Sequence, residues 1–473
     1  MKVLYAASEA YPYAMSGGLA DVAGALPKAL RRRLIGCRII MPLYGSIPQE
    51  MREKMVFLTS VTVPVAWRRQ YCGIFEAHLN GVIYYLLDNQ YYFKRDGLYG
   101  HYDDAERFAF FSRAILEALP VIGFKPDIIH CNDWQTALVP VYLNAFYRNN
   151  PFYYDTKTVF TVHNIQYQGR YGKEILGDVF GLGSDNEHII EYDGCVNLMK
   201  GAFASCDRIT TVSPTYAREI MNPYYAHGLD GILRELSGKV TGIVNGIDTD
   251  VYNPETDDLI YENFSAENMA GKAVNKQQLQ QEMGLPQNPD VPLIGIVSRL
   301  VNHKGFDLVK CVFEDLMRQD VQVAILGSGE WEFEAFFGEM AAKYPEKVAF
   351  RTGVIPRLAH RIYAGADLFL MPSKSEPCGL AQMVALRYGT IPIVRETGGL
   401  NDTITDSDSG TGNGFTFANY NAHEMLSTAE RAIDGYRNKS GWEILRKRAM
   451  QCDNSWAKSA GDYIRLYKEI LVK

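Results

Sequence analysis

No stretch of the 473-residue chain approaches the ~20 consecutive apolar residues that a bilayer-spanning helix needs. The first apolar run, Val3–Ala7, is short and passes straight into Ser8-Glu9, so a secretory leader is not expected. The eight cysteines are scattered and form no C-x-x-C pair. That argues against a zinc site or a disulfide framework and fits a reducing, cytoplasmic setting. Cationic excess is also missing. Lysine and arginine number 48 against 55 acidic residues, a net charge of −7, so neither nucleic acid nor an anionic membrane is an expected partner. The dinucleotide fingerprint G-x-G-x-x-G is absent: Gly327-Ser328-Gly329 follows an apolar run, but no third glycine completes it. Nicotinamide chemistry is therefore disfavoured, and no cofactor is expected. There is no low-complexity tract and no repeat of short fixed period.

What is present is enough apolar material, 47% of residues, for two packed cores. Short apolar runs alternate with helical patterns. Strands are expected at Val3–Ala7, Arg38–Met41, Val82–Leu87, Asp127–His130, Thr158–Val162, Arg208–Val212 and Lys239–Val244. A capping box at Asp103-Asp104-Ala105-Glu106 should start a helix through Phe108–Leu119. After Pro254 a polar, helix-prone stretch leads to a second series: Leu293–Val297, Gln322–Leu326, Val348–Arg351, Leu368–Met371 and Ile391–Val394. The pattern predicts an α/β protein of two mainly parallel sheets, covered on both faces. We place the first domain at residues 1–245 and the second at 246–455, with the amphipathic segment 456–473 packing back on the first.

The polar residues of interest follow apolar runs, where open α/β sheets bind ligands. Ser16-Gly17-Gly18-Leu19 leads into Ala20-Asp21-Val22, and Thr397-Gly398-Gly399-Leu400 is a close cousin far downstream. Glycine lets backbone approach a ligand, and helix N-termini favour phosphate. Arg299, a planar fork of donors, and Lys304, a compact charge, flank one loop that ends at Gly305; together they suit a diphosphate, the competing reading being a solvated basic loop. Glu376 precedes Cys378, Gly379 and Leu380 at a helix start; its carboxylate either caps that helix or accepts from sugar hydroxyls. Asp133 ends one strand and His163 the next, so parallel pairing would bring them together. Asp133 either caps a helix or handles a hydroxyl proton. The strings Asp248-Thr249-Asp250 and Asp406-Ser407-Asp408 read as turn chemistry, not as metal ligands.

These motifs, with Ser8-Glu9, His130–Trp134, Thr161–Asn164, Val244–Asp248, Ser298–Gly305 and Glu396–Leu400, give the chain a resemblance to bacterial glycogen and starch synthases over nearly its whole length. The resemblance implies a GT-B fold, two Rossmann-like domains facing each other across a deep cleft. It implies transfer of glucose from ADP-glucose to an α-1,4-glucan or maltooligosaccharide with retention of configuration, without a metal. By carry-over, Arg299 and Lys304 hold the donor phosphates and Glu376 binds glucose hydroxyls. His163 and Asn245 line the sugar site, and Asp133 lies near the reacting centre. Gly17, Gly18, Asp21, Cys378, Gly379, Leu380, Thr397, Gly398 and Gly399 flank the nucleotide sugar. Two positions depart from the family pattern: Met15 stands where lysine is usual, and His303 where glutamine is usual. A same-fold transferase with another acceptor, and an inactive glucan-binding homologue, are the alternative readings.

Overall fold

The alternating pattern folds, in the computed structural model, into two compact units. Residues 1–472 are described. One unit takes in Met1–Ile243 and the C-terminal helix Trp456–Val472; the other is Val244–Ser455.

The first unit carries twelve strands: β1 (Lys2–Ala6), β2 (Gly36–Pro42), β3 (Val56–Val65), β4 (Arg68–Leu79), β5 (Val82–Asp88), β6 (Ile128–Asn132), β7 (Lys157–Val162), β8 (Arg170–Tyr171), β9 (Glu191–Tyr192), β10 (Cys195–Asn197), β11 (Arg208–Thr211) and β12 (Val240–Gly242). Nine of them form one sheet in the order β12-β11-β7-β6-β1-β2-β5-β4-β3. It is parallel from β12 to β5, while β4 and β3 run antiparallel at one edge. Val3, Leu4, Tyr5 and Ala6 are fully buried, as expected of a strand covered on both faces. β8, β10 and β9 make a small separate sheet.

The β3–β4 hairpin is absent from the strands expected above. Its two-residue turn is Ala66-Trp67, with none of the Asn-Gly chemistry that marks such turns, and Ala66 takes φ +52°. The expected capping box also fails. The helix does start at Asp104, but the Asp103 side chain caps nothing; Arg95 holds its carboxylate in two hydrogen bonds of 2.5 and 2.8 Å. Glu106 accepts instead from the Tyr92 hydroxyl. An ion pair with good geometry outcompetes a local cap.

The second unit continues with β13 (Leu293–Val297), β14 (Gln322–Gly327), β15 (Val348–Thr352), β16 (Leu368–Met371), β17 (Ile391–Arg395) and β18 (Phe415–Phe417). All are parallel, in the order β15-β14-β13-β16-β17-β18. Helices cover the sheet, and Ile294, Ile296, Phe306, Phe313, Phe337 and Leu370 are among the residues of the main core. The polar stretch after Pro254 supplies the helix Ala270–Met283. Its Lys272 is buried and donates to Ala364 O, Tyr388 O and Thr390 Oγ1, while Lys276 pairs with Asp367 at 2.7 Å. Buried ammonium groups need such partners.

Strand order reverses beside β1 in the first unit, where β6 and β2 flank it, and beside β13 in the second, where β16 and β14 flank it. Loops leaving the carboxyl ends at such switch points are ligand positions in open α/β sheets.

The C-terminal helix packs on the helix Gly18–Arg32. It reaches the sheet through Tyr467, whose hydroxyl lies 2.6 Å from His130 Nδ1; the opposite ring nitrogen meets Thr161 Oγ1 at 2.6 Å. Burial drives the His130 pKa down to about 3, so the ring is a neutral strut. Removing one partner of a buried pair leaves a polar atom unsatisfied, at a cost of about 1–3 kcal/mol. Tyr467→Phe should therefore lower the urea unfolding free energy of the first unit by that amount, read by fluorescence, and leave the transition of the second unit in place.

Candidate functional site

In the first unit the loop after β1 is organised by one carboxylate. Glu9, almost fully buried, accepts from Ser16 N at 2.8 Å and Ser16 Oγ at 2.6 Å. The Ala20 backbone and the Tyr99 hydroxyl complete its set, and Ser8 Oγ lies 2.7 Å from that same hydroxyl. Burial raises the Glu9 pKa, and these donors oppose the rise. The loop Ser16-Gly17-Gly18 is thus tied to the end of β1. Gly17 and Gly18 have nothing within 4 Å of where a Cβ would sit, and Gly17 is in extended backbone. Their smallness serves no packing inside the protein and leaves room above the backbone. Asp21 is exposed on the first turn that follows. Met15, beside the loop, is 52% exposed.

Asp133 and His163 meet as the parallel pairing of β6 and β7 requires. Asp133 Oδ1 accepts the His163 N–H at 2.8 Å, and the Asn164 backbone also donates to it. The carboxylate does not cap the following turn Trp134–Thr136. Asp133 adopts φ +55°, rare for a residue with a Cβ and a strain that its backbone donors offset. Desolvation raises its pKa to about 7, against the two backbone hydrogen bonds. His163 is lowered to about 3 by burial, so its ring is neutral. Asn132 Oδ1 stands 2.9 Å from His163 Nε2.

In the second unit, the loops after β13, β16 and β17 converge on an ion pair whose carboxylate is buried and whose ammonium is partly so. Lys304 Nζ contacts both oxygens of Glu376, at 2.9 and 2.7 Å. Ser373 Oγ donates to Glu376 Oε2 at 2.9 Å. Burial alone would raise the Glu376 pKa, but Lys304 and Ser373 bring it below its ordinary value. His303 is lowered by burial and by the Lys304 charge. Arg299 is exposed, and its guanidinium makes no hydrogen bond or ion pair among the described residues. An ammonium has three N–H donors. With two spent on Glu376, Lys304 retains one.

Glycine at the second Gly-Gly motif has a different job from the first. A Cβ on Gly398 would fall 1.8 Å from Glu376 O, and one on Gly399 would fall 2.0 Å from Cys378 O. The Gly399 N–H donates to Glu376 O at 3.1 Å. The Thr397–Leu400 turn therefore lies flat on the Glu376–Cys378 loop. Gly379 has φ +72° and leads into Leu380, which starts the helix Ala381–Arg387. Gly305, at φ +82°, lets its loop touch Pro372 O, which a Cβ would approach to 2.0 Å. Asn245 is buried in this unit, its N–H directed at the Cys378 sulfur and its Oδ1 without a hydrogen-bond partner. Burial pushes the Cys378 thiol up to about 12, so it is not a thiolate.

Several supporting residues were not among the expected site residues. Gly327 and Gly329, discounted as an incomplete fingerprint, pack on the Arg299 loop: Cβ atoms there would meet Ser298 O at 2.1 Å and Leu300 O at 2.3 Å. Glu330 accepts from Asn302 N in the same loop. Glu9 and Asn132 lie within the motifs Ser8-Glu9 and His130–Trp134 but have no assigned role there, and Ser373 carries no signal that a single sequence separates from ordinary packing. The two D-x-D strings form turns: Asp248 Oδ1 accepts from Asp250 N, and Asp406 Oδ1 from Asp408 N.

With that geometry in place, two family models match the chain: the starch synthase catalytic domain over residues 2–235 and glycosyl transferases group 1 over residues 277–446. Glycogen synthases of Anoxybacillus flavithermus and Geobacillus stearothermophilus are each 54% identical, covering 100% of this chain and 98% of theirs. That of Bacillus cereus is 52% identical and covers 100% of both chains. Among solved structures, the catalytic domain of starch synthase IV from Arabidopsis thaliana, bound to ADP and acarbose, matches with a TM-score of 0.92 at 36% identity, covering 100% of this chain and 99% of that one. A sucrose-phosphate synthase from Thermosynechococcus elongatus shares the fold at 15% identity and a TM-score of 0.62, covering 100% of this chain and 99% of its own. The GT-B fold class expected from the motifs holds over the whole chain.

The lowered Glu376 pKa has a definite sign. Its ionised form is favoured by the fold, so the stabilisation is complete above the ordinary value of 4.5 and is lost as pH falls through the lowered one. Breaking a buried pair from one side costs about 3–5 kcal/mol. Glu376→Gln should lower the stability of the second unit by that order at neutral pH. The gap to the unmodified protein should narrow in urea titrations taken below the ordinary glutamate range.

Proposed function

The chain belongs to the family of bacterial glycogen synthases and starch synthases, and from that premise we propose that it transfers glucose from ADP-glucose to the non-reducing end of an α-1,4-glucan with retention of configuration. The observation that carries the reading is the cationic pair at the end of β13. Arg299 offers an uncommitted guanidinium, and Lys304 offers one remaining donor five residues on. Both would meet a diphosphate and stabilise the charge that grows on it as the glycosidic bond breaks. The ADP in the solved starch synthase IV favours adenine as the donor base.

Glu376 accepts three hydrogen bonds, from Lys304 and Ser373, and a carboxylate has about four lone-pair sites. The remaining one is available to a glucose hydroxyl. His163 and Asn245 are assigned to the sugar, and Gly17, Gly18, Asp21, Gly379, Leu380, Thr397, Gly398 and Gly399 to the nucleotide-sugar surroundings. Asp133, raised to about 7 and held by two backbone donors, is assigned to the surroundings of the reacting centre, and no residue is assigned as a covalent nucleophile. We therefore favour attack of the acceptor 4-hydroxyl on the face the ADP leaves. The hydroxyl proton passes to the departing phosphate oxygen. No metal takes part in this scheme.

Labelled glucose from ADP-glucose should enter ethanol-precipitable glucan when maltooligosaccharides are supplied, and UDP-glucose should serve less well. Lys304→Ala should reduce kcat/KM about 10²–10³-fold, as for other donors aimed at developing charge. Near-normal kcat/KM in that variant would remove Lys304 from the scheme. Transfer to a small sugar without glucan labelling would favour the same-fold transferase reading.

Met15 supplies neither a charge nor an N–H, and its exposure leaves it beside the open Gly17-Gly18 backbone. Met15→Lys should lower the KM for ADP-glucose several-fold. An unchanged or higher KM would show that the position has no part in donor binding. Binding of glycogen without any ADP release, in both forms, would mark the protein as an inactive glucan-binding homologue.

A further inference from the structure

We infer that Asn132 is a positioning residue that fixes the tautomer of His163, so that the imidazole offers a bare Nδ1 and accepts a hydrogen bond from a substrate hydroxyl. The inference deepens the proposed function and rests on His163 lying at the sugar site.

The surroundings of the Asn132 amide allow it one orientation. Asn132 is fully buried at the end of β6. One end of its amide faces two backbone carbonyls, Ala6 O at 3.0 Å and His130 O at 3.3 Å. Carbonyls only accept, so that end is the NH₂ group. The other end is then the oxygen, and it faces the Tyr5 hydroxyl at 2.9 Å and His163 Nε2 at 2.9 Å. Turning the amide over would set oxygen against two carbonyls and would cost the site both hydrogen bonds. The oxygen cannot donate, so His163 Nε2 must carry the proton.

A neutral imidazole has one N–H and one lone pair. Burial keeps His163 neutral, with a pKa of about 3. Among the described residues no basic side chain hydrogen-bonds the ring, and the neighbouring Asp133 carboxylate is engaged by the His163 backbone N–H rather than by the imidazole. His163 is half-buried, and Nδ1 has no hydrogen-bond partner among the described residues. The exposed nitrogen is therefore an acceptor. A histidine that accepts selects a ligand group that can donate, a hydroxyl rather than a fluorine or an ether oxygen. Tyr5, also fully buried, supports the same oxygen from behind and holds the amide in plane.

The tautomer is read directly in the full-length protein labelled with ¹⁵N-histidine, with His163→Gln used to assign the signal. The expected spectrum has a protonated Nε2 and an unprotonated Nδ1; a proton on Nδ1 would overturn the inference. This measurement needs no variant at position 132. Asn132→Leu removes the constraint, and its spectrum should show both tautomers with kcat/KM reduced about tenfold, the scale of one hydrogen bond. A single Nε2–H tautomer persisting in Asn132→Leu would show that something other than Asn132 sets it.

Donor analogues separate this inference from the reading beneath it. Among ADP-glucose analogues with one hydroxyl replaced by hydrogen or by fluorine, one position should lose equally with either, because neither substituent donates. In His163→Ala the discrimination at that position should vanish. If His163→Ala changes no position, the placement of His163 at the sugar fails. If it abolishes discrimination at a position where fluorine is tolerated and hydrogen is not, the placement holds and the acceptor assignment fails.

Discussion

The second unit depends on the contact between Lys304 and Glu376. A carboxylate that is almost fully buried survives only because an ammonium and a hydroxyl occupy its oxygens. Those partners come from the loops after β13 and β16, so the charge pair sets the spacing of two strand ends. The turn after β17 is then laid against the backbone of the glutamate loop, at a distance only glycine permits. A single ion pair and three glycines, at 305, 398 and 399, fix three loops. Change the pair and the loops lose their reference; add a methyl group at 399 and the turn cannot approach. Steric and electrostatic demands here serve one arrangement, which is why neither is adjustable alone.

The strand series was legible because parallel strands buried on both faces read as unbroken apolar runs, and β1, β13 and β16 are of that kind. The β3–β4 hairpin was not, because it has one exposed face and a turn without glycine or asparagine. β8 and β9 are two residues long, too short for any period to register. Asp103 shows the limit of local rules: the pattern D-D-A-E fits a capping box, yet Arg95, eight residues back, takes the carboxylate. Within the site, Arg299, Lys304, Glu376 and the Gly-Gly pairs stand out as charges or glycines after apolar runs. The roles of Glu9, Ser373 and Asn132 do not, because they act on other residues, and a buried polar side chain looks the same in a sequence whatever it holds.

The two Gly-Gly motifs illustrate how one sequence signal covers two physical situations. At Gly398 and Gly399 the missing side chain is consumed by the protein's own backbone, and the glycines would be needed even if no ligand existed. At Gly17 and Gly18 nothing inside the protein uses the space. Only the first motif therefore has a glycine requirement that points outward. The incomplete Gly327-Ser328-Gly329 string belongs with Gly398 and Gly399, since its glycines make room for the loop bearing Arg299. Glycine spacing alone does not distinguish a loop that receives a ligand from one that receives another loop.

The units also differ in how they treat charge. In the first, burial pushes every titratable group of the site toward neutrality: Glu9 is raised, Asp133 reaches about 7, and His163 falls to about 3. In the second, Glu376 is held ionised by its ammonium partner, and Arg299 stays exposed and charged. A glycosyl transfer needs both environments. The leaving diphosphate carries charge that grows as the bond breaks, and fixed cations stabilise it. The sugar hydroxyls are neutral, and His163 and Asn245, assigned to them, are neutral too; Glu376 is the ionised exception, its charge balanced by Lys304. Fixed tautomers and fixed amides, as at His163 and Asn132, are the neutral counterpart of a salt bridge: they sort donors from acceptors without placing a charge. In the proposed scheme the diphosphate is met by the fixed cations of the second unit, and the sugar by neutral groups together with one charge-balanced carboxylate.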